Sequence, residues 1–207
     1  MAILRDHGIT RVPAVIVGSH AVHGWNPAAV AQLVGAAYDD GLVLPLEDLK
    51  ARLDRILLAA QRAVLQVPAQ HMHLRTPGRD RSVHQLAYHL FRVSQSYRDA
   101  REQGYLPEAW FEEGPPSDMS DMAAVARYGE QVRDRLRRWC RGPETFEGIV
   151  ETYYGPQPAA AFFQRTVWHT AQHLRQIYAL LEQLGVIPEE RLAAEDLAGL
   201  PLPQSIW

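Results

Sequence analysis

The chain has 207 residues, 47% hydrophobic and 22% charged, with a formal net charge of -3. That is ordinary globular composition, long enough for one medium domain with its own core, and it lacks the gathered basic excess that marks a nucleic-acid binder. The single cysteine, Cys140, excludes an internal disulfide and a CxxC pair, which fits a reducing compartment.

No basic stretch followed by an apolar run opens the chain, so it does not read as a secretory leader. Charged or amide residues break every apolar run before the ~18 residues a membrane span needs. The expectation is a soluble, cytoplasmic protein with neither membrane nor nucleic acid as partner. The richest basic run, Arg133 to Arg141 (RDRLRRWCR), spreads its arginines around a predicted helix and reads as a solvated surface.

Val12 to Val17 is a short β-branched run, and Gly18-Ser19 turns it into a second strand through Val22. Asn26 before Pro27 is an N-cap followed by proline at the first helical position, opening a helix to about Ala37. A hairpin and one helix are too small to make a core, so this piece must pack on something else.

After the turn signal Asp39-Asp40-Gly41 the pattern is helical. A helix over about Pro45 to Val67 carries Leu46, Leu49, Leu53, Ile56, Leu57, Ala60, Val64 and Val67 on one stripe. Ser82 caps the next, which puts Leu86, His89, Leu90, Val93 and Tyr97 on one face and stops near Gly104. Residues 104–120 form a long connection. Asp121 to about Arg141 is a further helix, with Met122, Val125, Val132, Leu136 and Trp139 inward. After Gly142-Pro143 and an irregular stretch containing Tyr153-Tyr154, the last long helix spans Pro158 to Leu184 and ends at Gly185. The tail holds at most one short helix. The expected fold is mainly α, a four-helix bundle with a small N-terminal β-hairpin and helix appended; the long connection admits a crossover between helices that are not antiparallel neighbours.

His169 and His173 lie four apart in TVWHTAQHLRQI, on the face that carries Phe162, Thr166, Gln176 and Leu180. On a helix the two rings are about 40° apart in azimuth and ~6 Å apart along the axis, so both reach one point, as a single metal ion requires. His89, on the apolar stripe of its own helix, is the best third ligand; His84 falls on another azimuth. A bare HxxxH is also compatible with core histidines that are simply hydrogen-bonded. The zinc-protease pattern HExxH does not apply, because the sequence is HTAQH.

The segments RSVHQLAYHLFRV and HTAQHLRQIYALLEQLG resemble two helices of the DinB-like metalloprotein family, over about Pro45 to Gly185. His89, His169 and His173 fall on the family's three metal positions. Arg81 stands where a tryptophan is expected, and Arg175 where a glycine often precedes the glutamine. The resemblance implies a His₃-bound divalent metal, frequent homodimers, and relatives that use low-molecular-weight thiols, such as mycothiol- or bacillithiol-dependent transferases. The segment ITRVPAVIVGSHAVHGWNPAAVAQLVG resembles the second half of a glutaredoxin or thioredoxin domain. That implies a division into residues 1–40 and 41–207 and a cis Val12-Pro13 bond; a plain capping hairpin and helix fits the same residues.

An ion held by three neutral imidazoles keeps its charge and an open position, suited to activating a thiol, a water or a carbonyl, and Zn²⁺ and Ni²⁺ both suit imidazole. The reading is a metal-dependent thiol S-transferase acting on a small-molecule substrate, with a metal-dependent hydrolase or a non-catalytic, metal-stabilised dimeric bundle as the alternatives. Gln176, one turn beyond His173, is the candidate to touch a metal-bound water or a substrate; a buried amide satisfied by backbone fits the same residue. Tyr153 and Tyr154 are candidates for the mouth of the site, Trp110 and Phe111 for its shield, and Arg165 and Arg175 for holding an anion. Arginines at 137, 138 and 141 could lower the pKa of Cys140, against the commoner case of a buried, inert thiol.

Overall fold

A computed structural model of the protein describes residues 4, 6–9, 14–39, 44–77 and 80–207. A hairpin of β1 (Ala14–Val17) and β2 (His20–His23) leads into helix α1 (Pro27–Val34). Four long helices follow: α2 (Leu46–Leu65), α3 (Val83–Gln103), α4 (Met122–Trp139) and α5 (Ala159–Gln183); α6 (Ala194–Leu197) is a single turn in the tail. This is the mainly α architecture with an N-terminal hairpin that the periodicity predicts. Val12, Pro13 and the division at residues 40–41 lie outside the described residues.

The helix starts follow their capping residues. Asn26 Oδ1 accepts from the Ala29 N–H at 3.0 Å, Asp121 Oδ1 from Ala124 at 2.6 Å, and Ser82 with Gln85 forms a reciprocal capping box. Three ends fall short of the expectation, and α2 is one of them, ending at Leu65 instead of Val67. α1 stops at Val34 instead of Ala37, because Gly35 enters the left-handed region at φ 66 and the Ala36 N–H turns back to the Ala31 carbonyl. α4 stops at Trp139 instead of Arg141, where Cys140 leaves helical geometry at ψ 37.

The predicted apolar stripes form the core: Leu49, Leu53, Ile56, Leu57, Ala60 and Val64 of α2 are buried, as are Val125, Val132 and Leu136 of α4. α2 packs on α4 and α5, and α3 packs on the same two. Helices consecutive in sequence, α2 with α3 and α4 with α5, are therefore not among the main packing pairs of the bundle, whereas residues 104–121 join α3 and α4, which do pack together. Gly129 sits where α4 meets α3; a Cβ there would overlap the Phe91 ring, so its lack of a side chain sets how closely the two helices approach.

Strands of two to four residues, not read from the sequence, organise the long connections. β3 (Tyr105–Leu106) pairs in parallel with β4 (Ile149–Thr152), and β4 pairs antiparallel with β5 (Gln157–Pro158), just before α5 begins. Residues 104–120 and 142–157, read from sequence as irregular, are thus tied to each other. Arg92, buried on α3, pins the first of them: it pairs with Glu113 at 2.5 Å and Asp99 at 3.1 Å, and its guanidinium lies 4.8 Å from the Trp110 ring centroid. Pinned in this way, the loop presents Phe111 over the interface of α3 and α5.

Candidate metal centre

That interface carries the three histidines. His89 stands on α3 between the buried Leu86, Leu90 and Val93; His169 and His173 stand one turn apart on α5. The His89 ring centroid lies 6.0 Å from that of His169 and 4.8 Å from that of His173, and the two α5 rings are 4.7 Å apart. One ring nitrogen from each residue can be chosen so that all lie within 4.8 Å of one another. Below them, Ser94 and Thr170 share a 2.8 Å hydrogen bond that ties α3 to α5, and the Thr170 hydroxyl also donates to the Thr166 carbonyl.

Hydrogen bonds fix the orientation of one ring. His173 Nδ1 is 2.7 Å from Gln176 Oε1, and Gln176 Nε2 donates to the Ile206 carbonyl at 2.8 Å. The Ile206 carbonyl can only accept, so it sets the amide with its oxygen toward His173. That oxygen in turn can only accept, so Nδ1 carries the proton and Nε2 holds the lone pair. A metal-ligating histidine is oriented in this way by an acceptor on its far nitrogen. The donor set therefore fits one divalent ion: three imidazoles, two of them buried, with His173 held in the ligating tautomer.

The histidines line a cleft of about 940 Å³. Its walls include Phe111, Tyr153, Arg165 and Trp168, the hairpin end at His23, Gly24 and Trp25, and Trp207 of the tail. The Trp25 and Trp168 rings meet at 5.0 Å, and Asn26 Nδ2 donates to the Tyr154 carbonyl at 2.9 Å. The N-terminal piece thus packs on the edge of the histidine site. The tail is strapped along α5: Gln172 Nε2 donates to the Ser205 and Ile206 carbonyls, and Arg175 to that of Pro203.

The family follows from the sequence match. The model of the DinB superfamily matches residues 52–177, more than half of the chain and all three histidines. The chain belongs to the DinB superfamily. A DinB-like protein from Bacillus subtilis of known crystal structure shares the fold, with a TM-score of 0.53 and 12% identity over 66% of this chain and 91% of that one. No curated protein matches. The hairpin, α1 and the tail lie outside the matched residues, and the hairpin end and the tail wall the cleft in this DinB-superfamily chain.

The remaining candidates separate. Tyr153 is at the mouth and Phe111 covers the cluster, its ring 6.1 Å from both His89 and His169. Trp110 is turned away to Arg92, and Tyr154 is buried behind Arg165. Gln176 has both ends of its amide engaged, which makes it a positioning group in this conformation. Cys140 lies elsewhere, in a groove of about 170 Å³ with Lys50, Asp54 and Arg133; burial pushes its thiol up to about 12, against a smaller opposing effect of Lys50. Arg133 and Arg137 turn instead to Asp54, at 2.8 and 3.4 Å. His84 does not join the cluster and has the His73 ring at its edge. Among the described residues, His89, His169 and His173 are the one group of three or more His, Cys, Asp or Glu side chains with metal-ligand spacing, and no helix is long and apolar enough to cross a membrane.

Sequence reasoning missed Trp25, Trp168, Gln172 and the tail. Trp168 and Gln172 sit four apart on α5, directly before the two histidines, and this second i, i+4 pair was the available signal.

Proposed function

We propose that this DinB-superfamily protein is a metal-dependent enzyme of thiol S-transferase type. In this reading His89, His169 and His173 hold one divalent ion, Zn²⁺ or Ni²⁺, and a low-molecular-weight thiol is the second substrate. The observation that carries it is the position of the three imidazoles on a cleft of about 940 Å³, with room for two small molecules. A bundle that used its ion only as a structural staple would close all four positions with side chains.

The ion would supply Lewis acidity at a position open to a thiol or to an electrophile's oxygen. The protein's own groups do the rest. Gln176 keeps His173 in the ligating tautomer, and Phe111 and Trp168 line the cleft with apolar rings. The thiol has to come from outside, since Cys140 opens on a separate groove and its sulfur stays protonated near neutral pH. The glutaredoxin-like resemblance of the N-terminal segment accords with thiol chemistry, because that segment supplies a wall of the cleft. A cytoplasmic homodimer belongs to the same proposal.

The test pairs the zinc- or nickel-loaded protein with a chromogenic aryl halide and a panel of cysteine, glutathione, mycothiol and bacillithiol. Transfer forms a carbon–sulfur bond and releases halide, with the thiol proton passing to buffer. Thiol consumption that follows metal content, and is lost in the His169→Ala variant, is the expected result. Metal-dependent cleavage of an ester or amide without any thiol would favour the hydrolase reading, and no metal uptake by the wild type would end both.

A further inference from the structure

Arg165 and Arg175 flank the ligand histidines on α5, and the structure separates them. Arg175 is committed to the fold: its Nη1 donates to Gln172 Oε1 at 2.7 Å and to the Pro203 carbonyl at 2.8 Å. Arg165 lines the cleft, one turn before His169 and so ~6 Å back along the same helix face. Its guanidinium lies 4.8 Å from the Tyr154 ring centroid and 5.9 Å from that of Phe111, the ring that also touches His89 and His169.

Of five guanidinium N–H groups, one has an acceptor among the described residues: Nη1 donates to the Tyr154 hydroxyl at 3.1 Å. Nε is shielded from solvent and has no hydrogen-bond partner among the described residues. No carboxylate among the described residues pairs with Arg165. The acidic side chains of the cleft include Glu113, which is held by Arg92, and Asp80, which pairs with Arg75; Glu108 and Glu112 stand on the turn beside Phe111. A cation held by aromatic rings and one phenol, beside a histidine cluster and without a counter-charge, is a charge the fold has left for something else to neutralise.

We propose that Arg165 is the anion anchor of this cleft and receives a carboxylate of the substrate about one helical turn from the histidines. This rests on the reading of the cleft as a substrate site. Tyr154 holds the guanidinium through Nη1, the aromatic rings restrict its plane, and the remaining N–H groups match a planar carboxylate. The class of substrate is thus a small, partly apolar carboxylate whose reacting atom lies toward His169 and whose body rests among Phe111, Trp168 and Trp25. Tyr154 stays a neutral phenol, since burial raises its pKa despite the nearby Arg165.

The probes are benzoate and its uncharged counterpart benzamide, titrated by calorimetry into zinc-loaded and chelator-stripped full-length protein, with zinc content measured on every sample. Wild type should bind benzoate at least about tenfold tighter than benzamide. Arg165→Gln should abolish that preference while keeping the wild-type zinc content, and Arg165→Lys should retain part of it. The preference should survive chelation, because it belongs to the guanidinium. An equal preference in Arg165→Gln, no preference in wild type, or a preference that vanishes with zinc would each overturn the assignment. None of these readouts depends on thiol transfer, so failure of the S-transferase reading and failure of the anion anchor are told apart.

Discussion

His173 and Gln176 form one hydrogen-bonded unit on α5, Nδ1 to Oε1 at 2.7 Å, and Ile206 of the tail fixes the direction of that bond from 30 residues away. Gln176→Leu keeps the volume and removes the acceptor, so the ring loses the group that sets its tautomer. Divalent-metal affinity should fall about 10- to 100-fold, read by competition with a chromophoric chelator. Gln176→Glu restores an acceptor and should recover a large part of the loss. Equal affinities in all three proteins would show that the amide does not orient the ligand.

Much of this site was legible in the sequence because it obeys the helix period. The four-residue spacing of His169 and His173 forces both rings to one side, and His89 could be picked out because Leu86, Leu90 and Val93 mark its face as interior. The walls were not legible. Trp25 meets Trp168 across 143 positions, Arg92 reaches Glu113 from a helix into a loop, and β3 finds β4 through only two paired residues. Pairings of that kind are made by tertiary packing and leave no local pattern. Cys140 shows the opposite hazard: arginines at 137, 138 and 141 suggest an activated thiol, but all three side chains are exposed whereas the sulfur is buried.

The hairpin and α1 are held to the bundle by a close contact at Gly24, where φ is +78 and a Cβ would come within 2.5 Å of the Tyr154 Cβ. Gly24→Ala is therefore strained by its backbone and excluded by its neighbour, and the N-terminal piece should lift off the cleft. Tyr154 belongs to the edge of the core but Gly24 does not, so the loss falls mainly on the docking of the hairpin and thermal melting should shift by only a few degrees. The sensitive readouts are limited proteolysis within residues 24–44 and the fluorescence of Trp25 and Trp168, now separated. Unchanged cleavage and emission would mean that the wall tolerates a side chain at this position.

Cys140 supplies a test of burial against local charge. With its thiol pushed up to about 12, the thiolate fraction at pH 8 is about one in ten thousand. The native protein should react with iodoacetamide at least about a hundredfold more slowly than free cysteine, and unfolding in urea should restore an ordinary rate. Rapid labelling of the native protein would place the sulfur in a less shielded environment than the groove of Leu57, Leu136 and Phe163 provides.

His84 sets a pH dependence of stability that is independent of the histidine cluster. Its pKa is lowered, first by burial and next by the neighbouring His73, with the Met119 backbone and Asp121 opposing. A folded-state pKa below the unfolded value of about 6.5 means that the unfolded chain takes up the proton more readily. The stability this side chain contributes is complete above pH 6.5 and declines as pH falls through that value toward the lower folded pKa. His84→Gln removes the titration and keeps a polar group of similar reach. Urea midpoints of chelator-stripped protein at pH 7.5, 6.0 and 5.0 should therefore fall less steeply in the variant than in the wild type. The histidines of the cleft are common to both proteins and cancel in the comparison, so parallel declines would assign the acid sensitivity to residues other than His84.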